Sequence, residues 1–391
     1  MSVFQNQIMA GTAANQTKSY TLWAWGQPKS GNLGLGNNTD YSEPQQIGGD
    51  DDWTPMVAMG SHTCHAIKSD GTLWAWGQGA LRGSGTNTTI SSPVQVGTAT
   101  NWYYVATGYT KVYAINTSGE LWLWGANGDG DLGTGNTTTQ SSMVQLAGTT
   151  WAAAGGGNDF SVAVKTDGTA WGWGNGANGR TWHNTTTDYS SPVQGVADTT
   201  WWGGNGDIDI TDGWEAGIET TKLHGRAQGY WSSMMIDENN KLWGAGWPYV
   251  GNYAISGANN SPRQVGTDTT WTNLDHTGFG GTGINNGAFK VWGGYNTTGD
   301  LGQGNTTGAT AGVLYGWDGT STDCSAGHNL GAQRFNGQIV GGTIYFSGHN
   351  YNGQFGKGNQ TNYSSPVQGP SGSDWVKVVI GETGCIGVMY S

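Results

Sequence analysis

Short runs of alternating large apolar and small residues recur along this chain, each closed by glycine. Leu22–Gly26, Leu73–Gly77 and Leu121–Gly125 share the pattern Leu-Trp-x-Trp-Gly, and Ala170–Gly174 is a copy with Ala for Leu. Leu242–Gly246, Phe289–Gly293 and Ile344–Gly348 are weaker copies. The closing glycines succeed one another at 47 to 55 residues, apart from one interval of 72. A period of two puts Trp23 and Trp25 on one face of a strand and Leu22 and Ala24 on the other. Each run is followed by a Gly/Asn loop such as Gly31–Asn37 or Gly130–Asn136. Ser-Pro-Val-Gln or a variant comes next, at Glu43–Gln46, Ser92–Gln95, Ser142–Gln145, Ser191–Gln194, Ser261–Gln264 and Ser365–Gln368. A tryptophan then opens another strand (Trp53, Trp102, Trp151, Trp201, Trp271, Trp375), and a small-Gly step with a further short strand completes the unit.

Seven such units of about 50 residues predict an all-β, seven-bladed propeller. A lone unit would leave its indoles in water, whereas blades stacked around an axis bury both faces and leave few strand edges exposed. Ser69–Thr72 and Thr166–Thr169 read as hairpin turns in which Asp-Gly supplies the positive φ. The last unit, Gly381–Ser391, stops where the first has Asp70, and the strand missing from it is present at the N-terminus. Gly384–Tyr390 is therefore expected to pair antiparallel with Tyr20–Trp25 inside one blade. The chain divides into an N-terminal arm, 1–19, and the propeller, 20–391, with an insertion at about 203–226.

Composition removes several classes. With 71 Gly among 391 residues and no three-residue period, the chain is not collagen-like. Its 22 Trp, 16 Tyr and 7 Phe argue against disorder. A formal charge of −12 and no Lys/Arg run disfavour nucleic acid and anionic membranes as partners. Three scattered cysteines, Cys64, Cys324 and Cys385, make neither a disulfide framework nor a zinc site. No apolar stretch is long enough to span a membrane, and Met1–Tyr20 predicts no secretory signal. His62-Thr63-Cys64-His65 lacks a second ligand pair. Asn127–Gly133 imitates a calcium loop but has Leu132 and Thr138 where Gly and Glu belong, and it aligns with the turn at Gln27–Gly34. No nucleophile elbow or phosphate loop is present. The expectation is a non-enzymatic protein with no cofactor and no metal.

The unit as a whole resembles the repeat of the regulator of chromosome condensation family, from residue 20 to the end. That resemblance implies the seven-bladed fold; the family's founding member exchanges guanine nucleotide on a small GTPase and binds chromatin. Two departures point away from that activity. The balance is acidic without a basic tail, and the position three residues after the small-Gly step, usually His in the family, holds Thr63, Lys111, Phe160, Ser232 and Gly384. A bacterial β-lactamase inhibitor of similar architecture implies that such propellers serve as protein binders. The opening Met1–Gly11 resembles virion proteins of marine tailed phages.

Two irregularities carry the functional expectation. The long unit holds Asp207 and Asp209, and tryptophans outside the repeated positions gather around it: Trp182, Trp214, Trp231 and Trp247, beside Tyr249. Large aromatic residues suit interfaces and sugar faces, so these are candidate binding residues, with local repacking as the competing explanation. In the arm, Phe4, Ile8 and Met9 are candidate assembly anchors. The leading expectation is a phage virion component, a capsid decoration or tail appendage, attached through the arm to other virion or surface proteins. The alternative is a recognition module, extracellular or at a cell surface, that binds a host glycan or receptor through the Trp-rich patch on the fourth and fifth blades.

Overall fold

A computed structural model describes residues 19–195, 227–228, 232–246, 259–277, 280–293, 296, 299–306, 315–328 and 334–391. The insertion at 203–226 and the arm residues Phe4, Ile8 and Met9 lie outside the described residues.

The architecture is the expected all-β, seven-bladed propeller, each blade an antiparallel sheet running outward from the axis. From the inside out, blade 2 consists of Trp53–Met59, Thr63–Lys68, Leu73–Gly77 and Ile90–Gln95. Blade 3 is Trp102–Thr107, Lys111–Asn116, Leu121–Gly125 and Gln140–Gln145, and blade 4 is Trp151–Gly156, Phe160–Lys165, Ala170–Gly174 and Tyr189–Gln194. Blade 5 shows Ser232–Ile236, Leu242–Gly246 and Asn259–Gln264. Ahead of these, Ala227–Gln228 pairs in parallel with His276–Thr277 of the next inner strand, so the chain rejoins the inner ring directly after the insertion. Blade 6 holds Trp271–Thr277, Gly280–Asn285 and Ala288–Gly293; blade 7 holds Arg334–Val340, Thr343–Gly348 and Tyr363–Gln368. The continuous strand Tyr315–His328 serves both, pairing with blade 6 through Tyr315–Thr320 and with blade 7 through Ser321–His328. This is the one unit whose sequence has neither Ser-Pro-Val-Gln nor a variant of it. Elsewhere the prolines of that motif sit on the outermost strand, where a missing N–H breaks no ladder.

Blade 1 closes the ring as expected. Its order is Trp375–Ile380, Gly384–Tyr390, Tyr20–Gly26 and Tyr41–Gln46. Seven antiparallel pairs join the termini, from Tyr20 opposite Tyr390 to Gly26 opposite Gly384. The hairpins at the opposite end from the loops use glycine where the backbone requires it. Gly71 has φ +78°, and a Cβ there would meet the Thr100 carbonyl oxygen at 2.2 Å.

In blades 1, 2 and 4 the repeated tryptophans cluster in threes. Trp53, Trp74 and Trp76 meet edge to face at 6.0 and 6.3 Å, and Trp151, Trp171 and Trp173 at 6.0 and 6.2 Å. In blade 1, Trp375 contacts Trp23 and Trp25 at 6.5 and 5.7 Å, so these two indoles do share a strand face. The second indole of each Leu-Trp-x-Trp-Gly run also reaches the preceding blade. Trp76 donates to the Asn32 carbonyl at 2.8 Å, Trp124 to Leu81 at 2.7 Å, Trp173 to Asp131 at 2.9 Å and Trp25 to Gln354 at 2.6 Å. All four indoles are fully buried. Each side chain supplies on the order of 150–250 Å² of buried surface and one satisfied donor.

Candidate interaction site

Of the candidate binding residues, Trp182 is described; Trp214, Trp231, Trp247, Tyr249, Asp207 and Asp209 lie outside the described residues. Trp182 is 1% exposed and presents no ring face to a ligand. Its position explains why it breaks the repeat. It follows Arg180 by two residues, as Gly34 follows Asn32, Gly83 follows Leu81 and Gly133 follows Asp131, and like those glycines it has positive φ, +67°. A Cβ at Gly34 would meet Trp76 Nε1 at 2.8 Å, and one at Gly133 would meet Trp173 Nε1 at 2.9 Å. A side chain in the loop and an indole on the next blade's strand therefore exclude each other. Blade 5 carries Ala245 at that strand position. The Trp182 indole packs beside Ala245, Met235 and Phe160 and donates to the Ser233 hydroxyl, while Ser233 donates to the Arg180 carbonyl at 2.8 Å. The indole is supplied by the loop instead of the strand. This corrects the expectation that Trp182 faces a ligand: an unrepeated tryptophan here replaces a missing repeated one.

The six cations between residues 19 and 195 are all held by the fold. Lys29 pairs with Glu382 at 2.7 Å, and Lys68 with Asp50 and Asp52 at 2.7 and 2.9 Å. Arg82 is buried and donates to the Thr88 carbonyl at 2.8 Å. Lys165 lies 3.8 Å from the centre of the Trp171 ring and 4.8 Å from that of Trp151. Arg180 pairs with Asp159 at 2.6 Å, bridging turns of blade 4. Lys111 is fully buried, bonded to the Asp131 carboxylate and to the Asn158 carbonyl. Burial pushes the Lys111 ammonium down, Asp131 opposes this, and the net direction is downward. Burial raises the Asp159 carboxyl against the pull of Arg180. With the cations so engaged, Asp40, Glu43, Asp51, Asp70 and Asp129 stand exposed.

The motifs examined for metal chemistry take structural roles. Cys64 and His65 of the His62–His65 run are buried, and the His65 ring lies 5.5 Å from Trp124, edge on. The loop Asn127–Gly133 is a stapled turn. Asn127 accepts from the Leu132 N–H at 2.7 Å and donates to the Asn136 and Thr138 carbonyls, both at 3.0 Å. Asn350 repeats that staple with Phe355, Asn359 and Thr361. No group of three or more potential metal ligands occurs among the described residues. The sequence reading missed the buried Asn; its signal was an Asn two residues beyond the glycine that closes the Trp strand, at Gly125 and Gly348.

Residues 21–67 and 118–164 match the family model of the Regulator of chromosome condensation (RCC1) repeat. Those two segments are RCC1-type repeats. The structure of Prp20p from Saccharomyces cerevisiae, described with its binding to Gsp1p and histones, is similar at TM-score 0.75 and 13% identity, covering 100% of this chain and 95% of that one. Yeast RCC1 (Prp20) bound to Kap60 gives 0.75 at 14% identity, covering 96% and 90%, and human WBSCR16 gives 0.71 at 16%, covering 95% and 100%. At these identities the likeness is one of fold. No curated protein matches the chain by sequence. No helix among the described residues is long and apolar enough to cross a membrane.

Proposed function

We propose that this protein is a non-enzymatic interaction module that binds a protein presenting a cationic surface. The observation that carries this reading is the inward use of its cations. Blades 1 to 4 keep Lys29, Lys68, Arg82, Lys111, Lys165 and Arg180 in ion pairs, hydrogen bonds or indole contacts, and leave acidic groups facing water. An acidic surface on a closed, rigid ring steers a basic partner and repels nucleic acid. Protein binding reported for Prp20p, to Gsp1p and histones, lends support by analogy of fold.

The test is affinity capture followed by lysine-to-carboxylate cross-linking. Partner lysines should join to Asp40, Asp51 or Asp129, and binding should weaken with salt. The variant Asp40→Asn/Asp51→Asn/Asp129→Asn should lower affinity while leaving the melting temperature unchanged. Binding that is insensitive to both salt and these substitutions would overturn the proposal.

A second reading, display on a phage particle through the arm, is supported by the resemblance of Met1–Gly11 to virion proteins. Removal of residues 1–18 tests it: assembly into particles should be lost while the propeller still folds. Incorporation of the truncated chain at the normal level would refute it.

A further inference from the structure

In blades 2 and 4 a lysine of the same blade occupies the angle between two tryptophans. Lys68 pairs across the strands with Trp53, and its ammonium lies 4.9 Å from the centre of the Trp53 ring and 4.7 Å from that of Trp74. Lys165 pairs with Trp151 and lies 4.8 and 3.8 Å from the Trp151 and Trp171 ring centres. All four distances fall within the reach of a cation–π contact, about 6 Å. The two rings meet at 77° in blade 2 and 76° in blade 4. Blade 1 keeps this corner, with Trp23 and Trp375 at 6.5 Å and 77°, but the residue paired with Trp375 is Met389. Blades 3 and 6 carry Asn116 and Asn285 at that position, and their amides donate to Glu120 and Asp268, both at 2.6 Å. Of the five blades whose inner-strand tryptophan is described, blade 1 alone has an apolar residue there.

The blade 1 corner opens into a cleft of about 520 Å³ between blades 7 and 1, lined by Trp23, Trp375, Met389, Pro44, Glu43 and Lys357. Carboxylates stand where a cation needs them. Glu43 is exposed, and Asp374 directly precedes Trp375 as Asp52 precedes Trp53. Asp52 pairs with the Lys68 ammonium at 2.9 Å. Asp374 keeps the carboxylate of that pair, exposed, while Met389 has replaced the ammonium. Lys357 is engaged on the blade 7 wall, donating to the Gln368 carbonyl at 2.7 Å and lying 5.7 Å from the centre of the Tyr363 ring.

We propose that the Trp23–Trp375 corner receives a lysine side chain of the partner protein, its ammonium against the two indoles and its charge met by Glu43 and Asp374. This rests on the reading of the partner as a cationic protein and gives that partner a contact residue and a site. Lysine is the occupant whose fit the molecule displays twice. A partner's ammonium would do in blade 1 what Lys68 and Lys165 do in blades 2 and 4. Seating it in a cleft between blades removes water from the contact, and a cation–π contact is stronger there than on an open surface.

The probe is an acetylated, amidated Gly-Gly-Lys-Gly-Gly peptide, titrated into the full chain labelled with fluorotryptophan and followed by fluorine NMR. Trp23→Phe assigns the Trp23 resonance. That resonance should shift saturably, and the same peptide with norleucine for lysine should bind about ten-fold more weakly. Met389→Lys installs the internal occupant of blades 2 and 4 and should abolish the shift. Glu43→Gln, an exposed change that leaves both indoles in place, should weaken binding several-fold. A norleucine peptide bound as tightly, a shift undiminished by either substitution, or no saturable shift at all would each overturn the proposal. Salt-dependent capture of a partner that leaves the Trp23 resonance unmoved would overturn this site and leave the cationic-partner reading standing. Lysine-peptide binding here, with capture that yields no cationic partner, would support the site and overturn that reading.

Discussion

The Trp182–Ala245 exchange gives the most demanding test of how the blades are held. Trp182→Gly removes a side chain that is 1% exposed, a loss comparable to the roughly 3–5 kcal/mol of Trp→Ala in a core. It also relieves a non-glycine residue at φ +67°, which returns about 1–2 kcal/mol. The single variant should therefore lose on the order of 2–3 kcal/mol. Ala245→Trp alone forces a second indole into occupied space and should cost about 1–3 kcal/mol or more. Combined, the two substitutions rebuild the arrangement of blade 4, where Gly133 leaves room for Trp173 and its indole donates to the Asp131 carbonyl at 2.9 Å. The new indole would find the Arg180 carbonyl, now held by Ser233. The double variant should recover most of the stability lost by either single one, a coupling of several kcal/mol. Thermal and denaturant unfolding of the four proteins, each followed by tryptophan fluorescence and circular dichroism, measures this. Simple additivity, with the double variant the least stable of the set, would refute the claim that one indole replaces the other.

Three further outcomes are expected. His65 is fully buried and burial lowers its pKa from 6.5 to about 3; the fold stays neutral where the unfolded chain takes a proton. Stability tied to this group is complete above pH 6.5 and falls by up to about 1.4 kcal/mol per pH unit towards pH 3. A melting series in His65→Met should accordingly be flatter by one proton across that window, and an unchanged slope would rule out His65 as the source. Asp131→Asn leaves the Lys111 ammonium buried without its counter-charge and should cost about 3–5 kcal/mol. Lys111→Met in the same chain should restore most of it, as read by denaturant midpoints. Removing Gly384–Ser391 takes the central pairing partner from blade 1 and exposes Leu22 and Trp25; the truncated chain should fail to reach a native melting transition. A cooperative transition near that of the full chain would show that the terminal pairing does not close the ring.

Much of this architecture was legible in the chain because it is written seven times. Alternation in Leu22–Gly26 and its copies fixed strand type and faces. The 47–55-residue interval fixed the blade, and the complementary ends of the first and last units fixed closure between Tyr20 and Tyr390. These are local patterns of period two and of the repeat, and each copy checks the others.

The site was less legible, for a physical reason visible at Trp182. Departure from the repeat marks it, and departure alone does not distinguish a residue turned to a ligand from one that fills a neighbour's vacancy. The Ala245 gap and the Ser233 hydroxyl meet Trp182 only across two blades, some 50 residues apart in sequence. The same holds for the six cations. Composition shows an acidic chain with 15 Lys and Arg, but the ring geometry sets Lys111 against Asp131 and Arg180 against Asp159, and so decides which charges face water. Sequence by itself determined what repeats, since a repeated residue meets the same environment in every blade. Tertiary structure decided the exceptions, since what fills a seam depends on side chains contributed by both of its blades.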